Sequence, residues 1–88
     1  MDNKPVYWEC KIDGHAKFWA ARVMRRTVYD GPTGETTQRT EFVLERKWGA
    51  IGTVGQQMEQ VFYNEREAEE MLEKLMADKR SKGYEPIF

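Results

Sequence analysis

The chain holds one cysteine and one histidine in 88 residues. A disulfide takes two thiols, and a structural zinc takes four ligands drawn mostly from these two residue types, so neither can be built here. Cys10 reads as a small strand residue and His15 as a solvated turn residue; no metal and no cofactor is expected. Nucleophilic catalysis needs a side chain with an adjacent base, and the acids gather on what reads as an exposed helix face, so the chain is expected to be non-catalytic. No apolar run approaches the roughly 20 residues of a membrane helix, and Met1-Asp2-Asn3-Lys4-Pro5 has no apolar signal core. The expectation is a cytoplasmic protein with no membrane partner. Repeats, linkers and low-complexity stretches are also lacking, so residues 1–88 read as a single small domain. A net charge of −1 lacks the excess of a generally basic polyanion binder, but the halves differ. Residues 1–50 carry nine Lys/Arg against seven Asp/Glu; residues 51–88 carry five against eight. Positive charge is thus a property of one face and not of the whole chain.

Aromatic content of 12% and hydrophobic content of 40% suit a folded domain. Val6 to Ile12 reads as a strand closed by Asp13-Gly14. A longer strand follows from about Ala16 to Tyr29. Its rows are Phe18, Ala20, Arg22, Met24, Arg26, Val28 and Lys17, Trp19, Ala21, Val23, Arg25, Thr27; neither is cleanly apolar, and a bulge near Ala20-Ala21 would change the assignment. Asp30-Gly31-Pro32-Thr33-Gly34 signals a hairpin turn into a third strand, Thr37 to Trp48, whose Phe42 and Leu44 face a core. A fourth strand covers Gln57 to Tyr63. Asn64 caps a helix of about 18 residues, with Glu67 completing a capping-box pattern and Ala68, Met71, Leu72, Leu75 and Met76 on one face. Gly83-Tyr84 stops it, and Glu85 to Phe88 reads as a short tail. The fold class is therefore α+β: an antiparallel sheet of about four strands with one C-terminal helix packed on one face.

The stretch Lys47-Trp48-Gly49-Ala50-Ile51-Gly52-Thr53-Val54-Gly55 stands out, because glycines are costly in a strand-rich segment. The spacing predicts a strand ending at Trp48, a bend or bulge using Gly49 and Gly52, and a tight turn at Gly55 before a strand starting at Gln56. A phosphate loop would instead lead into a helix N-terminus. Together with Lys17-Phe18-Trp19, Phe42-Val43-Leu44, Phe62, Lys79 and Lys82-Gly83-Tyr84, this stretch resembles the WGR domain, named for a Trp-Gly-Arg core. Phe18, Trp19, Trp48, Gly49, Ile51, Gly52, Gly55, Gly83 and Tyr84 match the family's motif positions. Ala50 stands where the arginine would be. The resemblance implies a helix packed on an antiparallel sheet, in a stand-alone protein of bacterial type related to the WGR domain of poly(ADP-ribose) polymerases. In those DNA-responsive enzymes the tryptophan lies against a DNA end and the arginine makes polar contacts. Trp48 matches the former; Ala50 has neither charge nor donor for the latter.

Two functional readings follow. In the first, Trp48, Lys47, Arg46, Arg25, Arg26, Lys17 and Arg39 form a basic, aromatic sheet face that binds DNA or other nucleic acid without sequence preference. In the second, the domain is an adaptor docking on a separately encoded enzyme or regulator through the sheet face or the acidic helix, as Ala50 and the acidic second half suggest; against the first reading, cross-strand Arg–Glu pairs are ordinary on a solvated sheet face. A monomer is favoured over a dimer in both.

Overall fold

The computed structural model describes residues 5–31 and 37–87. The elements are β1 (Val6–Cys10), β2 (Lys17–Asp30), β3 (Thr37–Ala50), β4 (Gln56–Phe62), α1 (Glu65–Ser81) and β5 (Glu85–Pro86). They form one antiparallel sheet in the order β4-β3-β2-β1-β5. The expected sheet gains a strand: Glu85–Pro86 is not a tail but pairs with Trp8 and Glu9 of β1. Two residues, one of them a proline without an N–H, give no alternation to read. The strand is held from outside it, by the Ile87 N–H donating to the Tyr7 carbonyl at 2.9 Å.

Strand bounds shift by one or two residues. β1 stops at Cys10, leaving Lys11 and Ile12 in the turn. β2 pairs with β3 in unbroken register from Lys17↔Ala50 to Asp30↔Thr37, so no bulge interrupts Ala20-Ala21. The same register carries β3 through Gly49 to Ala50 instead of ending it at Trp48. The turn expected over residues 30–34 lies largely outside the described residues.

Alternation then decides the faces. Val6 and Trp8 of β1, Trp19, Ala21 and Val23 of β2, Phe42, Leu44 and Trp48 of β3, and Phe62 of β4 face the helix. Ala68 and Leu72 are buried against them, with Met71, Leu75 and Met76 beside. Trp8, Trp19 and Trp48 stand in register across three strands, and the Trp8 and Trp19 rings meet edge to face at 6.2 Å. This tryptophan row underlies the C-terminal half of α1. The Arg80 guanidinium lies 5.3 Å over the Trp8 ring.

The helix begins at the cap its sequence names, with the Asn64 bond made to the second helical residue and not to Glu67 as a capping box would have it. The Asn64 side chain accepts from the Arg66 N–H at 2.8 Å, and Glu65 and Glu67 place negative charge at the positive end of the dipole. It ends in a Schellman turn: the Tyr84 N–H donates to the Lys79 carbonyl at 3.0 Å and the Gly83 N–H to that of Arg80 at 3.1 Å. That turn folds Tyr84 back beside the helix it has just left.

Candidate functional site

The residues expected to share one basic face do not share it. Trp48, Arg46, Arg25 and Lys17 fall on the helix side of the sheet, and Lys47, Arg26 and Arg39 on the other. Consecutive residues of a strand point to opposite faces, so Arg46 and Lys47 part at once. Arg25 is six residues along β2 from Trp19, about 20 Å at the rise of a strand. There it pairs with Glu65 at 3.4 Å and sits over the Phe42 ring.

On the face away from the helix, the cations are largely matched. Arg26 reaches Glu41 at 3.0 Å and Glu59 at 3.5 Å, Arg39 reaches Glu41 at 3.2 Å, and Arg22 reaches Glu45 at 3.2 Å. Glu41 is buried beneath this lattice. Hydrogen bonds from Arg26 and then Arg39 hold its carboxyl below the usual range, against the opposing effect of burial. Lys47 makes no ion pair among the described residues. This face is close to neutral and carries no exposed tryptophan.

The unmatched charge lies at one corner of the other face. Lys17 opens β2, Arg46 and Trp48 close β3, Lys79 and Lys82 end α1, and the Schellman turn adds Tyr84. Lys79 lies 5.3 Å over the Tyr84 ring. An open cleft of about 420 Å³ is lined by His15, Lys17, Trp48, Ala50 and Tyr84, among others. A second, of about 400 Å³, continues past His15, Lys17, Lys79, Lys82 and Tyr84. Lys17, Arg46 and Lys79 make no ion pair among the described residues, whereas Lys82 reaches Asp78 at 3.2 Å. Burial, and then the neighbouring charge of Lys82, pushes the Lys79 ammonium below its ordinary value. Asp78 opposes this, and Arg46 and Lys17 add to it. Four cations thus crowd around a half-buried tryptophan with one carboxylate among them. Such a corner can accept phosphate oxygens from several directions and offer a ring edge to an apolar surface.

Sequence reasoning gave Lys79 and Tyr84 only as motif matches and assigned no binding role to them or to Lys82, because all three lie more than thirty positions from Trp48. The legible signal was the pairing of last-turn lysines with a Gly-Tyr stop, which returns a cation and a ring to the sheet. The motif glycines serve the backbone. A Cβ at Gly55, whose φ is +75°, would run into the Trp48 carbonyl and the Phe18 ring, and one at Gly49 would come within 2.9 Å of the Gly55 Cα. Phe18 itself stacks on Tyr7 across the other face, with centroids 6.0 Å apart. The Ile51 N–H extends the ladder to the Ala16 carbonyl at 3.0 Å, and a turn closes between Ala50 and Thr53, bonded at 3.1 Å. Gly52 sits in that turn. Ala50 is opposite Lys17, so the nearest cation to the missing arginine's place comes from the neighbouring strand. No group of three or more metal-ligating side chains gathers among the described residues. No described helix is long and apolar enough to cross a membrane.

Comparison with known proteins agrees with the motif positions. A family model for the WGR domain matches residues 3–87, and the chain belongs to that family. Neither the curated proteins nor the solved structures gave a significant match.

Proposed function

We propose that this WGR domain is a non-catalytic module that binds nucleic acid without sequence preference, at the corner where Trp48 meets Tyr84. Lys17, Lys79 and Lys82 hold phosphates, Arg46 adds to the field, and the Trp48 ring gives the apolar contact. The observation that carries this reading is the crowding of the four cations: burial first, and then the charge of Lys82 with smaller additions from Arg46 and Lys17, holds Lys79 low. An anion relieves the repulsion among them, so binding has a favourable term that an isolated surface lysine does not offer. Arg26, Arg39, Arg22 and Arg25 are left to structural pairing.

The test is fluorescence polarisation of labelled blunt duplex, nicked duplex, single-stranded DNA and RNA at about 50 and about 200 mM salt, the range over which phosphate contacts weaken steeply. Binding that falls with salt, quenches tryptophan emission and is lost in Lys17→Gln/Lys82→Gln is the expected result. Absence of binding at the lower salt overturns it and leaves protein docking as the family role of this chain.

A further inference from the structure

Arg46 leans away from the corner cleft, toward β4. Its registered partner there is Met58, and one terminal nitrogen of its guanidinium donates to the Met58 sulfur at 3.0 Å. A thioether is a weak acceptor. The Arg46 Nε is buried without any hydrogen-bond partner. A guanidinium is the side chain built for bidentate bonding to a planar anion, so a buried Nε left unpaired is a costly arrangement unless something else arrives to accept from it. The cleft beside it, of about 360 Å³, is lined by Trp19, Trp48, Met58 and Leu75, with Arg46, Asp78 and Lys79 at its polar side. Asp78, the one carboxylate of this cleft, is engaged by Lys82.

This cleft lies against an open sheet edge. Among the described residues β4 pairs only with β3, so one side of Gln56–Phe62 has its backbone groups unpaired within the described sheet. The edge is thinly protected: the strand has no proline, no lysine and no bulge, and Glu59 is its one charge. Met58 and Val61 are exposed along it. Alternating backbone donors and acceptors are complemented by another extended chain and not by a sugar-phosphate backbone.

We propose that β4 is a docking edge for an extended peptide, which adds as a further strand and delivers an apolar side chain and a carboxylate to the cleft between Trp48, Met58 and Leu75. The carboxylate accepts from the Arg46 Nε and a terminal nitrogen, displacing the Met58 sulfur, with Lys79 nearby. An Asp or Glu side chain and a free C-terminus supply the same group. The site is separate from the phosphate-binding cleft in its ligand and in its use of backbone, and it shares Trp48 and Lys79 with it.

The experiment uses seven-residue probe peptides of alternating Val and Thr, matched to the length of β4. One carries a central Glu with blocked termini, one a central Gln with blocked termini, and one a free C-terminal carboxylate and no acidic side chain. Backbone amide shifts of the whole domain are followed by NMR during titration to about millimolar peptide. The expected result is that at least one carboxylate peptide shifts and protects β4 amides and moves the Arg46 Nε resonance. The blocked Gln peptide should bind about tenfold more weakly, the scale of a lost charge-assisted bond. N-methylation of alternate peptide amides should abolish binding. Whether the Glu or the C-terminal peptide binds identifies the source of the group. Arg46→Gln should reproduce the tenfold loss, its folding checked by its own spectrum; the Glu-to-Gln change in the peptide makes the same comparison on the unmodified protein. Equal affinity for Glu, Gln and C-terminal peptides, shifts confined to Lys17 and Tyr84, or no β4 shift at the highest concentration would each overturn the proposal. So would an oligonucleotide that moves Arg46 Nε and the β4 amides when no peptide does.

Discussion

At the scale of single residues, the glycine-rich stretch separates two demands that its sequence runs together. Gly52 and Gly55 both have positive φ, 91° and 75°, but a Cβ at Gly52 meets nothing within 4 Å, whereas one at Gly55 collides with backbone at Trp48 and with the Phe18 ring. Gly52→Ala should therefore cost only the left-handed backbone term, about 1 kcal/mol. Gly55→Ala should cost about 2 kcal/mol more, on the scale of overpacking, and urea titration of both variants reads the difference. Equal costs would mean that the close approach of Gly55 to Trp48 contributes nothing. Ala50 poses the opposite question, since the family's arginine is absent and the site is exposed. Ala50→Arg places a fifth cation beside Lys17 at the corner proposed to bind phosphate. Affinity for duplex DNA should rise several-fold, and the slope of log K against log salt should steepen by about 0.9, the value for one added phosphate contact. An unchanged slope would show that Ala50 is turned away from the ligand.

At the scale of elements, stability and charge divide between the two faces of the sheet. Leu44 is fully buried where β3 meets the helix. Leu44→Ala should cost about 2–5 kcal/mol, a large part of a stability on the order of 5–15 kcal/mol, read from the urea midpoint. On the opposite face Glu41 joins Arg26 and Arg39. Its carboxyl titrates lower folded than unfolded, so the unfolded chain takes up a proton first as pH falls. The stabilisation is complete above the ordinary glutamate value of about 4.3 and is lost below it. Thermal melts should show Glu41→Gln melting below the parent at neutral pH, with the gap closing as pH drops under about 4. A gap that stays constant would remove the carboxylate charge from the account. These elements were largely legible. Asn64, the apolar stripe from Ala68 to Met76 and the Gly83-Tyr84 stop are local signals, and local signals specify a helix. The alternation of Phe42 and Leu44 specified the buried row of β3. The buried row of β2 was ambiguous because Arg22 and Arg25 interrupt both rows, and only pairing with β1 and β3 decides that Trp19, Ala21 and Val23 face inward. β5 was beyond reach, having two residues and no pattern of its own.

At the scale of the whole molecule, a net charge of −1 leaves the arrangement of charges, and not their sum, as the basis for binding a polyanion. Reading basic strands as one basic face ignored that period-two alternation sends Arg46 and Lys47 to opposite sides, and that Glu41, Glu45 and Glu59 neutralise one of those sides. The unmatched charge is instead assembled from three elements at one end, around Lys17, Arg46, Lys79 and Lys82. Two sets of substitutions distinguish these descriptions. Lys17→Gln/Lys79→Gln/Lys82→Gln should remove most salt-dependent binding to duplex DNA, flattening the slope by about 2 to 3, while leaving the thermal midpoint unchanged or raised, because it relieves repulsion. Arg26→Gln/Arg39→Gln should leave the slope in place and lower the midpoint, because it strands the buried Glu41. Proton linkage gives an independent reading of the same corner. A bound anion favours the charged form of Lys79, so the complex holds a proton that the free protein releases at lower pH. Affinity should therefore fall as pH rises from the depressed Lys79 value toward the ordinary lysine value near 10.4, and Lys79→Gln should flatten that dependence. If the paired arginines carry the salt dependence and the corner lysines do not, the binding surface is the lattice of Arg22, Arg26 and Arg39, and the crowding at Trp48 serves the protein partner instead.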